Sequence, residues 1–208
     1  NGFRLINGVE KHSYLNASVS SAGDVNGDGF NDLIVGSSGV NQEGYNGGSY
    51  VVFGKATDFD AAMDLANLDG SNGFQLNSAT SGFPSVAFSS AGDVNGDGFD
   101  DLIIGLPEAS SYDGTGDRSG ASYVMFGKAS GFDAIVSLSS LIDNNGLLIR
   151  GVDRYDMAGN SVSGAGDING DGFDDLIIGA PGADPNGRDS GSSYIIFGRS
   201  DFGGTNVT

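Results

Sequence analysis

The stretch DVNGDGFND runs from Asp24 to Asp32. It returns as DVNGDGFDD from Asp93 to Asp101 and as DINGDGFDD from Asp167 to Asp175. The starts lie 69 and 74 residues apart. Repetition at such a period marks one supersecondary unit built several times over, and it comes before any local assignment.

Aligning the three nonapeptides aligns their surroundings. Each is preceded by a Ser-Val stretch ending in Ala-Gly: SVSSAG from Ser18, SVAFSSAG from Ser85 and SVSGAG from Ser161. Each runs into an apolar segment, DLIVG from Asp32 and DLIIG from Asp101 and Asp175. A variable Gly/Ser/Asp-rich loop follows, then SYVVFG from Ser49, SYVMFG from Ser122 and SYIIFG from Ser193. The last recurring segment is GFRLI from Gly2, GFQLN from Gly73 and GLLIR from Gly146.

These short runs of Val, Ile, Tyr and Phe between turn residues read as strands. FDAAMDLANL, from Phe59, is the best helical candidate, yet its counterpart FDAIVSLSSL, from Phe132, looks equally strand-like. Four short strands per repeat predict an all-β fold of β-propeller blades. The 37 Gly and 4 Pro suit it, since Gly weakens a helix interior but serves turns. Blade 1 is expected over about 18–78, blade 2 over about 85–150 and blade 3 over about 161–198, as a single propeller segment of residues 1–208.

Within the nonapeptide, oxygen donors stand at positions 1, 3, 5 and 9. They are Asp24, Asn26, Asp28 and Asp32, then Asp93, Asn95, Asp97 and Asp101, then Asp167, Asn169, Asp171 and Asp175. Position 6 is always Gly, which lets a loop turn sharply around an ion. Position 7 is Phe30, Phe99 or Phe173, which can offer only a backbone carbonyl. Hard oxygen ligands suit Ca²⁺; Mg²⁺ demands a tighter octahedron, and zinc or copper would want His or Cys. An EF-hand would need Glu at position 12, where Val35, Ile104 and Ile178 stand. One copy alone would read as well as a hairpin turn. Three copies that keep the ninth-position Asp point to three structural calcium ions per chain.

The formal net charge is −18, from 27 acidic and 9 basic residues. Nucleic acid is therefore excluded as an expected partner, and three divalent ions would offset a third of that charge. There is no Cys, hence no disulfide and no thiolate chemistry. No apolar run is long enough to span a membrane. The chain starts at Asn1 with no visible signal peptide and reads as a mature or excised segment.

The pattern resembles the FG-GAP repeat, the unit of the integrin alpha-chain propeller, over nearly the whole chain. The "FG" stands as Phe53-Gly54, Phe126-Gly127 and Phe197-Gly198. The "GAP" is complete only as Gly179-Ala180-Pro181; the other copies have Gly105-Leu106-Pro107 and Gly36-Ser37-Ser38. The family's DxDxDGxxD loop appears here with Asn at position 3. The resemblance implies strands A to D in each blade, with calcium in the A–B loop. It also leaves blade 3 without strand D. Strand 2–6, from the same or a partner chain, is expected to close it. Three blades fall short of the usual 4 to 8. Either two chains form a six-bladed ring, as a homodimer, or the remaining blades belong to a longer chain.

His12, the single histidine, has no Ser–Asp partner suggested by sequence, so no His-based triad is expected. The reading is a non-enzymatic, extracellular module for adhesion or protein-ligand binding. A carbohydrate-binding propeller is the alternative, and a carboxylate-based glycan-active enzyme is less favoured. The ligand residues expected in the variable B–C loops are Tyr45, Tyr112, Asp117, Arg118, Arg188 and Asp189, with Tyr14 and Tyr155 in the D–A loops.

Overall fold

The computed structural model describes residues 2–6, 14–38, 49–77, 87–110, 117–129, 131–141 and 145–202. Blade 1 contains β2 (Tyr14–Gly23), β3 (Asp32–Ser38), β4 (Ser49–Val52) and β6 (Gly73–Asn77). They pair antiparallel in that order, each strand beside its neighbour in the chain's A-to-D sequence. In blade 2 the same roles fall to β7 (Ala87–Gly92), β8 (Asp101–Leu106), β9 (Ala121–Met125) and β11 (Gly146–Arg150). Among the described residues, blade 3 has β12 (Ser161–Gly166), β13 (Asp175–Ala180) and β14 (Ser192–Ile196), with the third strand at the edge of the sheet.

The candidate helix takes another form. Ala62–Asp64 is a short strand, β5, and Leu65–Asn67 a single 3₁₀ turn. Its counterpart gives β10 (Ile135–Ser137) followed by the 3₁₀ turn Leu138–Ser140. Leu65 and Leu138 are buried by these turns, so their apolar spacing serves a one-turn anchor rather than a longer helical stripe. β10 pairs parallel with β6 of the preceding blade, Ile135 opposite Gln75. The N-terminal strand β1 (Arg4–Ile6) pairs with β5 in the same parallel manner, Arg4 opposite Ala62. Gly2–Ile6 corresponds to Gly73–Asn77 in the repeat. β1 therefore sits on blade 1 as the fourth strand of blade 1 sits on blade 2.

The core lies between blades. Side chains alternate across a strand, so one strand serves two seams. In β8, Leu102 and Ile104 join the first seam, with Ile34, Val51, Phe53 and Phe74 of blade 1. Ile103, between them, joins the second seam, with Leu176 and Ile178 of blade 3. The inner strands β2, β7 and β12 follow one another in contact. The first seam is also tied by rings: Phe132 of blade 2 stacks on Phe74 at 5.0 Å and meets Phe53 edge-on at 5.4 Å.

Candidate metal site

Each nonapeptide is an exposed loop between the first two strands of its blade. Gly29, Gly98 and Gly172 adopt φ of +89°, +90° and +94°, a conformation that a side chain resists. The Asp24 carboxylate accepts the N–H of Asp28 at 3.0 Å and of Gly29 at 2.8 Å. Asn26 Oδ1 also accepts the Asp28 N–H, at 2.9 Å, and Asp28 accepts the Phe30 N–H at 2.9 Å. Its Nδ2 donates to Asp28 Oδ2 at 3.1 Å. The second and third loops repeat these bonds through Asp93, Asn95 and Asp97 and through Asp167, Asn169 and Asp171. Positions 1, 3 and 5 are thus gathered on one set of backbone amides. These amides, Gly172 first, hold the Asp167 carboxyl below the usual carboxylate range.

Position 9 differs in depth. Asp32, Asp101 and Asp175 are fully buried. Asp32 Oδ2 accepts the Val25 N–H at 3.0 Å, closing its own loop, and Oδ1 accepts the Gly54 N–H at 2.8 Å. Asp101 does the same with Val94 and Gly127, and Asp175 with Ile168 and Gly198. One carboxylate thereby joins the acidic loop to the Phe-Gly at the end of the third strand. Burial pushes Asp32 up to about 6, against the Gly54 and Val25 N–H bonds. It pushes Asp101, in the middle blade, up to about 8.

Among the described residues no three His, Asp or Glu side chains are gathered closely enough to hold a metal ion. The carboxylates face their own amides instead. The donor set nevertheless suits a hard cation: every donor is oxygen, and a carboxylate has about four acceptor sites, of which these bonds use two or three per group. Phe30, Phe99 and Phe173 keep backbone carbonyls within the same loops.

Sequence reading missed position 8. Asp100 reaches across the first seam and accepts the Asp24 N–H at 2.7 Å; Asp174 accepts the Asp93 N–H at 2.9 Å across the second. The signal was present in the repeat as an extra acid beside the ninth-position Asp.

The expected ligand residues divide. Tyr45, Tyr112 and His12 lie outside the described residues, as does the side chain of Tyr14. Asp117 and Arg118 are brought to Tyr155: the Asp117 carbonyl accepts the Tyr155 N–H at 2.8 Å, and the Arg118 carbonyl accepts the Met157 N–H at 3.1 Å. Asp117 is buried, and its carboxylate accepts the Ser119 N–H at 3.1 Å. Arg118 approaches Glu108 at 3.8 Å. Tyr155 is exposed. Arg188 and Asp189 pair with each other at 3.4 Å, both exposed, in the next loop. Asp156, which sequence reading did not single out, is buried and accepts the Gly182 N–H through its carbonyl at 3.1 Å. Its carboxyl is raised, chiefly by burial.

The FG-GAP repeat pattern matches residues 16–52, 86–125 and 158–196. The chain belongs to the FG-GAP repeat family. Its sheets are accordingly β-propeller blades. The FG-GAP chain is 32% identical over 197 residues to phosphatidylinositol-glycan-specific phospholipase D of Bos taurus, covering 92% of this chain and 21% of that protein. It is 32% identical to integrin alpha-4 of Xenopus laevis, over 83% of this chain and 15% of the integrin. With integrin alpha-V of Gallus gallus the identity is 30%, over 85% and 16%. The FG-GAP blades thus span about 15–21% of these relatives' length, as a partial propeller that needs other blades or partners. No helix among its described residues is long and apolar enough to cross a membrane.

Proposed function

We propose that this chain is a calcium-stabilised, ligand-binding propeller module that acts outside the cell in adhesion. The observation that carries it is the threefold loop. Each places Asp, Asn and Asp at positions 1, 3 and 5 around shared amides and anchors a ninth Asp beneath. Asp24, Asn26, Asp28 and Asp32 would hold one ion with the Phe30 carbonyl. Asp93, Asn95, Asp97, Asp101 and Phe99 would hold the second, and Asp167, Asn169, Asp171, Asp175 and Phe173 the third. The ion supplies positive charge that relieves carboxylate repulsion and fixes the loop; the protein supplies Gly turns and buried anchors.

Extracellular Ca²⁺ suits such modules, whose affinities lie near ~10⁻⁴–10⁻³ M. Likeness to integrins supports the adhesion reading. Arg118 and Tyr155, and further along Arg188 and Asp189, form the candidate contact surface for a protein ligand. The Tyr, Asp and Arg chemistry there equally suits a glycan, so an array of glycans discriminates the two. The single histidine, His12, has no Ser–Asp partner suggested by sequence, and we read the stretch shared with the phospholipase as non-catalytic. Absence of phospholipase turnover by the isolated chain checks this. The ring is completed by a second copy or by further blades of a longer chain.

Calorimetry with Ca²⁺ should count three ions per chain. Excess chelator should lower the melting temperature and Ca²⁺ should restore it; a site held at a hundredfold over its Kd adds about 2.7 kcal/mol. An unchanged melt in chelator would remove the calcium reading.

A further inference from the structure

The closing limb of each acidic loop, positions 7 to 9, serves two loops at once. In the second loop it reads Phe99-Asp100-Asp101. Asp101 serves its own blade: its carboxylate accepts the Val94 N–H at 3.0 Å and the Gly127 N–H at 2.9 Å. Asp100 serves the loop before. Its carboxylate accepts the Asp24 N–H at 2.7 Å, and its own N–H donates to the Asp24 carbonyl at 3.2 Å. The Phe99 ring closes on Gly27, where no Cβ would fit. Lys128, next to the Gly127 that Asp101 holds, donates its N–H to the Val25 carbonyl at 3.0 Å.

The third loop holds the second in the same way. Asp175 bonds the N–H groups of Ile168 and Gly198 in its own blade. Asp174 accepts the Asp93 N–H at 2.9 Å and donates to the Asp93 carbonyl at 3.1 Å. Phe173 closes on Gly96, and the Arg199 N–H bonds the Val94 carbonyl at 2.9 Å. Val25 and Val94 are fully buried at these seams. Position 1 is therefore held twice. Its carboxylate is held by amides of its own loop, as Asp24 is by Asp28 and Gly29. Its backbone is held by the acid at position 8 of the next loop.

We infer that Asp100 and Asp174 are positioning residues that couple the calcium sites of adjacent blades, so that the ions bind cooperatively from neighbour to neighbour. With an ion in the second loop, the Phe99 carbonyl and the Asp101 carboxylate are both committed to it. Asp100 lies between them in the chain and is fixed with them. It in turn fixes the backbone of Asp24, the first ligand of the preceding loop. Neither position-8 carboxylate needs to touch an ion for this.

Ordering backbone costs conformational entropy. The first ion to bind meets that cost for the shared limb, and the second binds to a limb already ordered. The coupling is reciprocal: each ion raises its neighbour's affinity by the same factor, typically about 5- to 150-fold between coupled sites. Among the described residues, the hydrogen bonds between acidic loops run from the first to the second and from the second to the third. The first and third loops are therefore coupled through the second. This inference rests on the calcium reading above.

The test is calorimetric titration of the whole chain with Ca²⁺, one loop being emptied at a time. Asp171→Ala leaves the first and second loops as ion sites, and the Asp171 carboxylate bonds only within its own loop. This chain should bind two ions, the second about 5- to 150-fold more tightly than independent sites allow. Adding Asp100→Ala should keep both ions and abolish that enhancement, and Asp100→Asn, which keeps an acceptor oxygen, should restore much of it. A merely structural Asp100 would lower the melting temperature and leave the ratio of the two binding constants unchanged. Asp97→Ala leaves the first and third loops, and their two ions should bind independently. Two ions that bind independently, or that weaken each other, in the Asp171→Ala chain overturn the coupling without any change at Asp100. Enhancement that survives Asp100→Ala overturns the role of that residue. Three independent ions on the parent chain sink the coupling alone, whereas a parent chain that binds none sinks the calcium reading itself.

Discussion

The Asp100 carboxylate accepts the backbone N–H of Asp24, 2.7 Å away across the seam between blades 1 and 2. The adjacent Asp100 N–H donates to the Asp24 carbonyl at 3.2 Å. The residue beside the ninth-position anchor therefore bonds the first residue of the preceding acidic loop in both directions. This couples loop order to blade stacking.

Replacing Asp100 with Ala leaves the Asp24 N–H without its partner. Hydrogen bonds to a charged acceptor contribute about 1.5–3 kcal/mol, so Asp100→Ala should lower unfolding free energy by about that much in a urea titration. Asp100→Asn keeps an acceptor oxygen and should cost less. Equal losses from Ala and Asn would show that charge, not the bond, is what matters there.

Gly96 and Gly98 separate two demands on one loop. Both have positive φ, at +75° and +90°, so Ala at either is strained by about 1–2 kcal/mol. Only at Gly96 does an added Cβ strike the Phe173 ring, with its nearest atom at 2.5 Å; at Gly98 the space is open. Overpacking adds about 1–3 kcal/mol. Gly96→Ala should therefore destabilise more than Gly98→Ala in the same titration, and the reverse order would contradict the packing of the second seam.

Removal of a single loop donor should be countable. Asp97→Ala is expected to reduce bound Ca²⁺ from three ions per chain to two, and to shrink the rise in melting temperature that Ca²⁺ produces. Asp97 is exposed and its carboxylate bonds only within its own loop, so the chelated variant should melt close to the chelated parent. Retention of three ions would remove position 5 from the ligand set.

Acidity gives a signed prediction for the metal-free chain. The folded values of Asp32 and Asp101, about 6 and about 8, lie above the ordinary 3.8. The fold then binds more protons than the unfolded chain, so stability falls as pH rises. This contribution is fully present below about pH 4 and is lost through about 6 for Asp32 and about 8 for Asp101. In chelator, melting should drop between pH 5 and pH 8, and Asp101→Asn should flatten much of that slope. Saturating Ca²⁺, which binds the carboxylate form, should oppose it. A chelated protein that melts higher at pH 8 than at pH 5 contradicts the buried-anchor description.

Much of the blade architecture is visible along the chain. The alternation in DLIIG and SYVMFG, bounded by Gly and Asp, is a local property of strands, and the repeat identifies which strands are equivalent. The antiparallel order of the first to fourth strands in blades 1 and 2 follows that reading. The segment from Phe59 did not disclose its form, because a strand of three residues and one 3₁₀ turn leave no period long enough to recognise. The acid at position 8 read as one more charge, because its partner, the Asp24 N–H, is 76 residues away. Asp117 and Tyr155 look like loop residues in different repeats; only packing of adjacent blades joins their backbones.

By itself, the sequence determined the unit: four short strands, an acidic loop with Gly where the backbone must turn left-handed, and an Asp at position 9. These depend on neighbours within a few residues, and three copies make the pattern stand out from chance. Tertiary structure alone decided which face of each strand is buried, how deep the ninth Asp lies and which joints are filled. Those are set by the next blade, whose side chains fill the space at Gly27 and Gly96. A repeat carries both halves of a joint in every copy; only stacking shows which halves have met.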